Sequence, residues 1–305
     1  MHNRVRDFIT CIKRVINNPR KIIFILALNG CFKSLPDKMY LKLIFYAKTG
    51  RKLNVDNPNT YNEKLQWLKI YDRRSEQTKY VDKYEVREYI KETIGEKYLV
   101  HLLGVYDSFD EINFEELPNK FVLKCTHDSG GLVICKDKSK LDLEVARRKI
   151  NNCLKRNFYY YGREWPYKSV KPKIICEQYL QENITDYKFM CFGGEPKLIQ
   201  IHRNRGQANH TLDFYDVNWN KSEIRRETST ASNILERPLL YDEMLYIARK
   251  LSENEIHVRV DLYEVDGKIY FGEKTYYSAS GFSLFAKDEY DELLGSWIQL
   301  PIDNK

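Results

Sequence analysis

The chain has 305 residues, a net charge of +7, 43% hydrophobic residues and 23 tyrosines. That length holds one large domain or two to three small ones with ample core, and no run approaches the roughly 20 apolar residues of a membrane span. Seven cysteines, at 11, 31, 125, 135, 153, 176 and 191, form no Cys-x-x-Cys and lie in part within apolar runs. They predict buried thiols in a reducing, cytoplasmic setting and argue against disulfides or a zinc site. A cleavable leader is not expected either, because the apolar run Ile22 to Leu28 is short and Asn29-Gly30-Cys31-Phe32 is a poor cleavage site.

Residues 1–52 carry twelve Lys or Arg against Asp7 and Asp37, a net +10 that leaves −3 for the other 253 residues. Helices are predicted to residue 50. Phe8, Ile12, Val15 and Ile16 recur at helical spacing among Arg4, Lys13, Arg14 and Arg20. A basic amphipathic helix of this kind suits peripheral contact with an anionic membrane. Nucleic acid is the competing partner, but no nucleic-acid motif accompanies the charge and the body is not basic, so none is expected. The plainer reading packs this segment on the body through Ile22 to Leu28.

Thr60 and Glu63 form a capping box that opens the next helix. A helix over 79–94 and a strand over 98–106 follow. Phe121 to Lys124 then reads as a short strand ending on a lysine, followed by the loop His127-Asp128-Ser129-Gly130-Gly131 and a returning strand, Leu132 to Cys135. Such a hairpin can wrap polyphosphate oxygens with loop N–H groups, with Lys124 as a point charge. It is not a P-loop, since no Gly-Lys-Ser/Thr follows. An ordinary hairpin with a Ser-Gly-Gly tip is the alternative. Further on, the pattern predicts helices over 143–157 and 241–252, and strands over 173–179, 187–192, 196–202, 257–265 and 268–274. Gly193-Gly194 and Asp266-Gly267 mark the hairpin turns. Strand pairs alternating with single helices give an α+β fold of mainly antiparallel sheets. The divisions fall at 1–55, 56–118, 119–180 and 181–305.

A second constellation lies in Arg259-Val260-Asp261 and Glu273-Lys274-Thr275, at one end of the last hairpin. Paired carboxylates there suit Mg²⁺, which completes its shell with water and phosphate. A strict two-residue turn places Asp261 opposite Gly272, and one bulge residue brings Glu273 opposite instead. Both registers stay open on sequence alone, and two solvent-exposed acids on an edge hairpin are the other reading.

In order along the chain, these pieces resemble the ATP-grasp superfamily, two α+β subdomains clasping ATP, here with a helical N-terminal extension. The resemblance implies that Lys83 and Lys124 contact phosphates and that residues 127–131 form the phosphate loop. It implies that Glu177 meets the adenine amino group while Gln178, Tyr179 and Leu180 line the base. Asp186, in Asp186-Tyr187-Lys188-Phe189, resembles the ribose-binding acid, with Lys188 counted among the nucleotide contacts. Arg259 is implied for the acyl phosphate, and Asp261 and Glu273 for metal. The family usually has Asn where this chain has Thr275, a weaker ligand. Tyr61-Asn62-Glu63-Lys64-Leu65-Gln66-Trp67-Leu68, Asp82 to Arg87, Arg163-Glu164-Trp165-Pro166-Tyr167 and Asp213 to Asn220 are similar to one branch, the teichuronopeptide-biosynthesis or TupA-like ATP-grasp family. That similarity runs over about residues 35–285, and members typically sit among capsule and cell-surface polysaccharide genes.

The implied activity is an ADP-forming carboxylate–amine ligase using ATP and Mg²⁺. It would join a uronic acid, on a glycan or nucleotide sugar, to an amino acid or amino alcohol through an acyl phosphate. Lys124 would serve the phosphoryl transfer and Arg259 the tetrahedral oxyanion. Arg203, Arg205, His210, Arg163 and Trp165 are candidate acceptor contacts, with structural packing the other reading for each. Two rival classes remain: a surface-polysaccharide glycosyltransferase, and a nucleotide-binding scaffold without turnover.

Overall fold

The computed structural model describes residues 20–128, 130–203, 209–226, 230–231 and 233–302. Ser129, Arg205 and the amphipathic stretch within residues 1–19 lie outside the described residues.

The N-terminal part is helical: α1 (Arg20–Leu28), α2 (Asp37–Thr49), α3 (Tyr61–Tyr71), the short α4 (Glu76–Val81) and α5 (Val86–Thr93). Helix α3 starts where its capping box predicts. The Thr60 hydroxyl accepts from the Glu63 N–H, and the Glu63 carboxylate accepts from the Thr60 N–H. Such a cap contributes about 1 kcal/mol. The helix expected over 79–94 is broken between α4 and α5. The Asp82 carboxylate accepts from the N–H groups of Tyr84 and Glu85, an Asx turn that competes with the helical ladder and sets Lys83 apart on a bend.

Two antiparallel sheets follow. The first has four strands in the order β1-β4-β2-β3, namely β1 (Leu102–Tyr106), β2 (Phe121–Cys125), β3 (Leu132–Cys135) and β4 (Ile174–Gln178). The strand expected over 98–106 begins only at Leu102, because Glu96–Tyr98 forms a 3₁₀ turn after Gly95. Strand β1 falls within 56–118 of the sequence division, yet it pairs with β4. Helix α6 (Leu143–Leu154), shorter than expected, covers one face of this sheet through Ala146, Ile150 and Cys153. The short α7 (Tyr159–Gly162) leads on towards β4.

The second sheet has five strands in the order β7-β6-β5-β8-β9: β5 (Asp186–Phe192), β6 (Glu195–Arg203), β7 (Thr211–Asp216), β8 (His257–Val265) and β9 (Lys268–Thr275). Strand β7 and the final helix α9 (Asp288–Ser296) have no counterpart in the sequence reading. Helix α8 (Tyr241–Ser252) buries Tyr241, Met244, Leu245, Ala248 and Leu251 at 3.6-residue spacing, in the same core as Phe189, Val258 and Val260. Asp242 and Glu243 in its first turn and Arg249 and Lys250 in its last suit the macrodipole. This core also takes in Tyr40, Leu41, Ile44 and Phe45 of α2, so the N-terminal helices pack with the second sheet rather than the first. In α1, Ala27 is buried and Ile23 packs on that core, while Ile22, Leu26 and Leu28 are exposed. The described cysteines are all unpaired. Among the described residues no helix is long and apolar enough to cross a membrane.

His257 joins the helices to this sheet. Its Nδ1 donates to the Cys191 carbonyl at 2.8 Å, and its Nε2 accepts from the Tyr61 hydroxyl at 3.0 Å. Burial holds the imidazole at about 4, below its ordinary 6.5. Between those values the unfolded chain binds the extra proton, so stability falls as pH falls, by at most about 1.4 kcal/mol per pH unit. Urea unfolding midpoints measured from pH 7 to 5 should therefore drop for the native chain and drop less for His257→Asn.

Candidate functional site

Strand alternation decides which side chains meet in the cleft between the sheets. On the first sheet Val122, Lys124, Leu132 and Ile134 lie on the face opposite Phe121, Leu123, Cys125, Val133 and Cys135, which pack against α6. Register places Glu177 opposite Val122. The Glu177 carboxylate accepts from Lys124 Nζ at 2.6 Å and from Arg87 at 3.1 Å. Arg87, which also donates to the Val100 carbonyl at 2.8 Å, has no role in the sequence reading, although it lies four residues beyond Lys83. A cleft of about 210 Å³ is lined by Val122, Lys124, Leu132, Ile134 and Glu177 of the first sheet, by the connection from Gln178 to Gln181, and by Asp186 and Tyr263 of the second sheet. Its apolar floor and polar ends match the general make-up of small-molecule sites. A larger open groove of about 660 Å³ beside α5 includes Arg87 and shares Val100 with the cleft, but carries none of the loop or acid-pair residues.

The loop after β2 is braced from beneath. Asp128 accepts from the Gly130 N–H at 2.9 Å and from the Cys153 thiol at 3.1 Å. His127 is buried, with Nε2 at 3.2 Å from the Cys153 carbonyl, and burial lowers its pKa. These two side chains organise the loop from the α6 side. Gly131 is required by packing rather than by phosphate approach: a Cβ there would lie 2.4 Å from Cys125 Sγ and 2.5 Å from Cys153 Sγ. A Cβ on Gly130 would meet nothing closer than 3.6 Å. Lys83 reaches the same loop, donating to the Asp128 carbonyl at 2.9 Å.

The second sheet presents the acids. Register aligns Lys188 with Asp261 and Asp186 with Tyr263. A bulge at Gly272 brings Glu273 opposite Asp261 and Thr275 opposite Arg259. Arg259 forks onto Asp261 at 2.6 and 2.8 Å, and its Nη2 also bonds Glu273 at 2.9 Å and Thr275 at 3.1 Å. Among the described residues its Nη1 bonds the Ser278 hydroxyl alone, at 3.2 Å. Lys188 pairs with Asp261 and, at 2.7 Å, with Asp186. Burial pushes the Asp261 carboxyl up, and its contacts with Arg259 and Lys188 offset only part of that cost. Burial also acts against charge on Glu273, but Lys83, Arg259 and Lys188 outweigh it and hold the carboxyl at about 2.

Oxygens of Asp261, Glu273 and Thr275 thus converge on one guanidinium nitrogen, a cation standing where three donors meet. The set fits Mg²⁺, which needs one or two carboxylates and takes the rest of its shell from water and phosphate. Among the described residues no group of three or more His, Cys, Asp or Glu makes a closed cage.

The acceptor candidates separate. Arg163 is a packing residue: only 2% exposed, it donates to the carbonyls of Phe32, Lys33 and Leu35 and lies 3.4 Å from Asp37. Trp165 is half-buried with Arg73 over its ring, which closes it as a stacking platform. Arg203 shares a face with Ile201, opposite that of Lys188 and Asp186, and bonds Asp213 at 2.8 Å. His210 does reach the site face, stacked on His202, which register places beside Asp186. Gln200, bonded to His202 at 2.6 Å, completes that row. Neither Gln200 nor His202 carried a motif; only strand pairing reveals them.

Two antiparallel sheets clasping a cleft, with loop and strand lysines on one side and a bulge-aligned acid pair on the other, define an ATP-grasp protein. The chain belongs to the TupA-like ATPgrasp family, whose sequence model matches residues 63–299. No curated protein matches it. Similar solved structures include the D-alanine–D-alanine ligase of Helicobacter pylori, at 12% identity and TM-score 0.42 over 79% of this chain and 70% of that one. The Bacillus anthracis D-alanine–D-alanine ligase complexed with ATP is 18% identical, TM-score 0.42, over 72% and 65%. The L-amino acid ligase of Bacillus licheniformis is 13% identical, TM-score 0.44, over 78% and 55%. The chain thus spans less than two thirds of the latter two, and the family assignment rests on the sequence model alone.

The geometry ranks three substitutions by stability. Asp261→Asn removes the charge that Arg259 and Lys188 share in a buried site, at an expected cost of up to about 3–5 kcal/mol. Glu273→Gln should cost less, because its side chain is 34% exposed. Thr275→Ala, which deletes the hydroxyl's bonds with Arg259 and Glu273 but removes no charge, should cost least, about 1.5 kcal/mol. Urea unfolding of the three variants checks the order.

Proposed function

We propose that the protein is an ATP-dependent, ADP-forming carboxylate–amine ligase. Its carboxylate substrate would be a uronic acid of a bacterial capsular or cell-surface polysaccharide, or of its precursor, and its amine an amino acid or amino alcohol. The observation that carries this reading is the arrangement of charge across the cleft. Lys83 and Lys124 come from the loop side, and Lys188 and Arg259 face them from the acid pair. Transfer of the γ-phosphoryl group to a carboxylate oxygen releases ADP and leaves an acyl phosphate. The amine then attacks the acyl carbon, the C–O bond to phosphate breaks, and the amine loses a proton. Such chemistry asks a protein mainly for positioning and charge neutralisation.

In this assignment the 210 Å³ cleft takes the base, with Glu177, Gln178, Tyr179 and Leu180 around it and Asp186 near the ribose. Lys83, Lys124 and the loop after β2 would hold phosphates. Asp261 and Glu273, with Thr275 as a weaker third donor, would hold Mg²⁺, which when bound supplies charge neutralisation between phosphates. The Nη1 edge of Arg259, which bonds Ser278 alone among the described residues, is the donor available to an acyl oxyanion.

The deciding assay is ADP release from ATP, Mg²⁺, a uronic acid and a set of amines. A glycosyltransferase would release no ADP, and a scaffold would bind ATP without turnover. Lys124→Ala should abolish ADP release in a folded protein, since Glu177 retains Arg87, and should weaken nucleotide binding by about 1.5–3 kcal/mol. Undiminished ADP release by that variant would refute the assignment.

The basic segment 1–52 supports a second element of this reading, peripheral attachment to an anionic membrane where a lipid-linked acceptor would be presented. The outer face of α1 exposes Ile22, Leu26 and Leu28, and each Lys or Arg near such a surface adds about 1 kcal/mol. The full chain should sediment with phosphatidylglycerol vesicles at low salt, be released at high salt, and ignore phosphatidylcholine vesicles. Equal behaviour towards both lipids would exclude this attachment.

A further inference from the structure

Beside the phosphate loop lies a second cavity, of about 340 Å³, that the nucleotide assignment leaves unused. Asp128 and Gly130 of the loop form one wall. The others come from α1 (Phe24), α2 (Lys48), the segment after α6 (Arg156, Phe158) and the turn after β9 (Ser280, Phe282). Its size falls within the range of about 300–1,000 Å³ usual for small-molecule sites.

Resting on the ligase reading, we propose that this cavity is the acceptor subsite. It takes a sugar ring that bears a carboxylate, with the anion on Lys48 and Arg156 and the apolar ring face against the aromatic wall. Three observations lead there. The first is position, because the cavity shares Asp128 and Gly130 with the loop that Lys83 reaches, so a group bound here lies against that loop. The second is charge. Lys48 lies over the rings of Phe24 at 4.3 Å and Phe282 at 5.2 Å, remains accessible, and makes no ion pair among the described residues. Arg156 donates from Nε to the Asn152 carbonyl at 3.0 Å, while its Nη1 lies 4.0 Å from Asp128 on a side chain 43% exposed. One accessible cation over two aromatic faces, with a second cation lining the same cavity, suits an anionic group carried on a flat ring. The third is a strained turn. Ala279 and Ser280 both hold left-handed backbone, at φ 49° and 56°, ahead of Gly281 at 61°. Consecutive non-glycine residues in that region cluster at ligand clamps. The turn is pinned by Lys69, which donates to the Ser280 carbonyl at 2.8 Å and hydroxyl at 3.1 Å. Buried Glu164 also faces the cavity and can accept from sugar hydroxyls.

Phe24 and Lys48 precede residue 63, where the family match begins. The proposed acceptor preference would be set in part by the wall they form, while the nucleotide cleft lies within the matched region.

The test is calorimetric titration of the full-length protein, saturated with Mg²⁺ and a non-hydrolysable ATP analogue, with D-glucuronate as probe and D-glucose as the neutral control. Saturable glucuronate binding is expected, at least about tenfold tighter than glucose, and Lys48→Gln should weaken it about tenfold or more. Phe24→Ala should act in the same direction, and both variants should keep the native affinity for the ATP analogue. A protein that binds the analogue but not glucuronate, or a Lys48→Gln variant that binds glucuronate as the native chain does, overturns the proposal. Loss of the ligase reading shows separately, as failure to bind the analogue or to release ADP.

Discussion

The site depends on one extra residue in a hairpin. Without the bulge at Gly272, alternation along β9 would place Glu273 out of line with Asp261, and Arg259 would have no second carboxylate to fork across. A glycine suits the place because a Cβ there would lie 2.9 Å from the Tyr263 hydroxyl and 3.1 Å from the Asp261 carbonyl. Once the register is set, Arg259 binds Asp261, Glu273 and Thr275 together, and Lys188 ties the cluster to Asp186 on the next strand. Charges this deep are stable only as a set, since each would otherwise face an uncompensated desolvation cost. The cluster is therefore both a structural unit and a preorganised field.

The cleft lies between two separate hydrophobic cores. One joins the first sheet to α6, and the other joins the second sheet to α8, α9 and the N-terminal helices. The connection from Gln178 to Ile184 passes between them, and Glu177 at its start is held by Lys124 and Arg87. Two cores meeting across a polar cleft let the halves move relative to each other without disturbing the packing of either. The N-terminal helices share the second core, so they are part of the body as well as carriers of its positive charge.

How the phosphate loop is supported shows the same economy. Its glycines look interchangeable in sequence, yet Gly131 is fixed by two cysteine sulfurs and Gly130 is not. His127 and Asp128 face α6, and the Cys153 thiol and carbonyl receive them. The side chains beneath the loop brace it, down to the Gly130 N–H that Asp128 takes.

Local rules carried much of this in the sequence alone. The capping box at Thr60 and Glu63, the hairpin turns, the amphipathic α8 and the order of Lys83, Lys124, Glu177, Asp186, Arg259, Asp261 and Glu273 are all legible, because each depends on neighbours within a few residues or on a motif spaced along the chain. The break at Asp82 was not, since a side chain overrode a helical period. What only the tertiary structure decided concerns partners distant in sequence. Arg163 has the composition of a substrate clamp, but three carbonyls from residues 32–35 claim it. Arg203 and His202 are neighbours in sequence, and strand pairing sends them to opposite faces. The bulge that aligns Asp261 with Glu273, and the cavity that joins Phe24 and Lys48 to the phosphate loop, exist only once elements far apart in the chain have packed together.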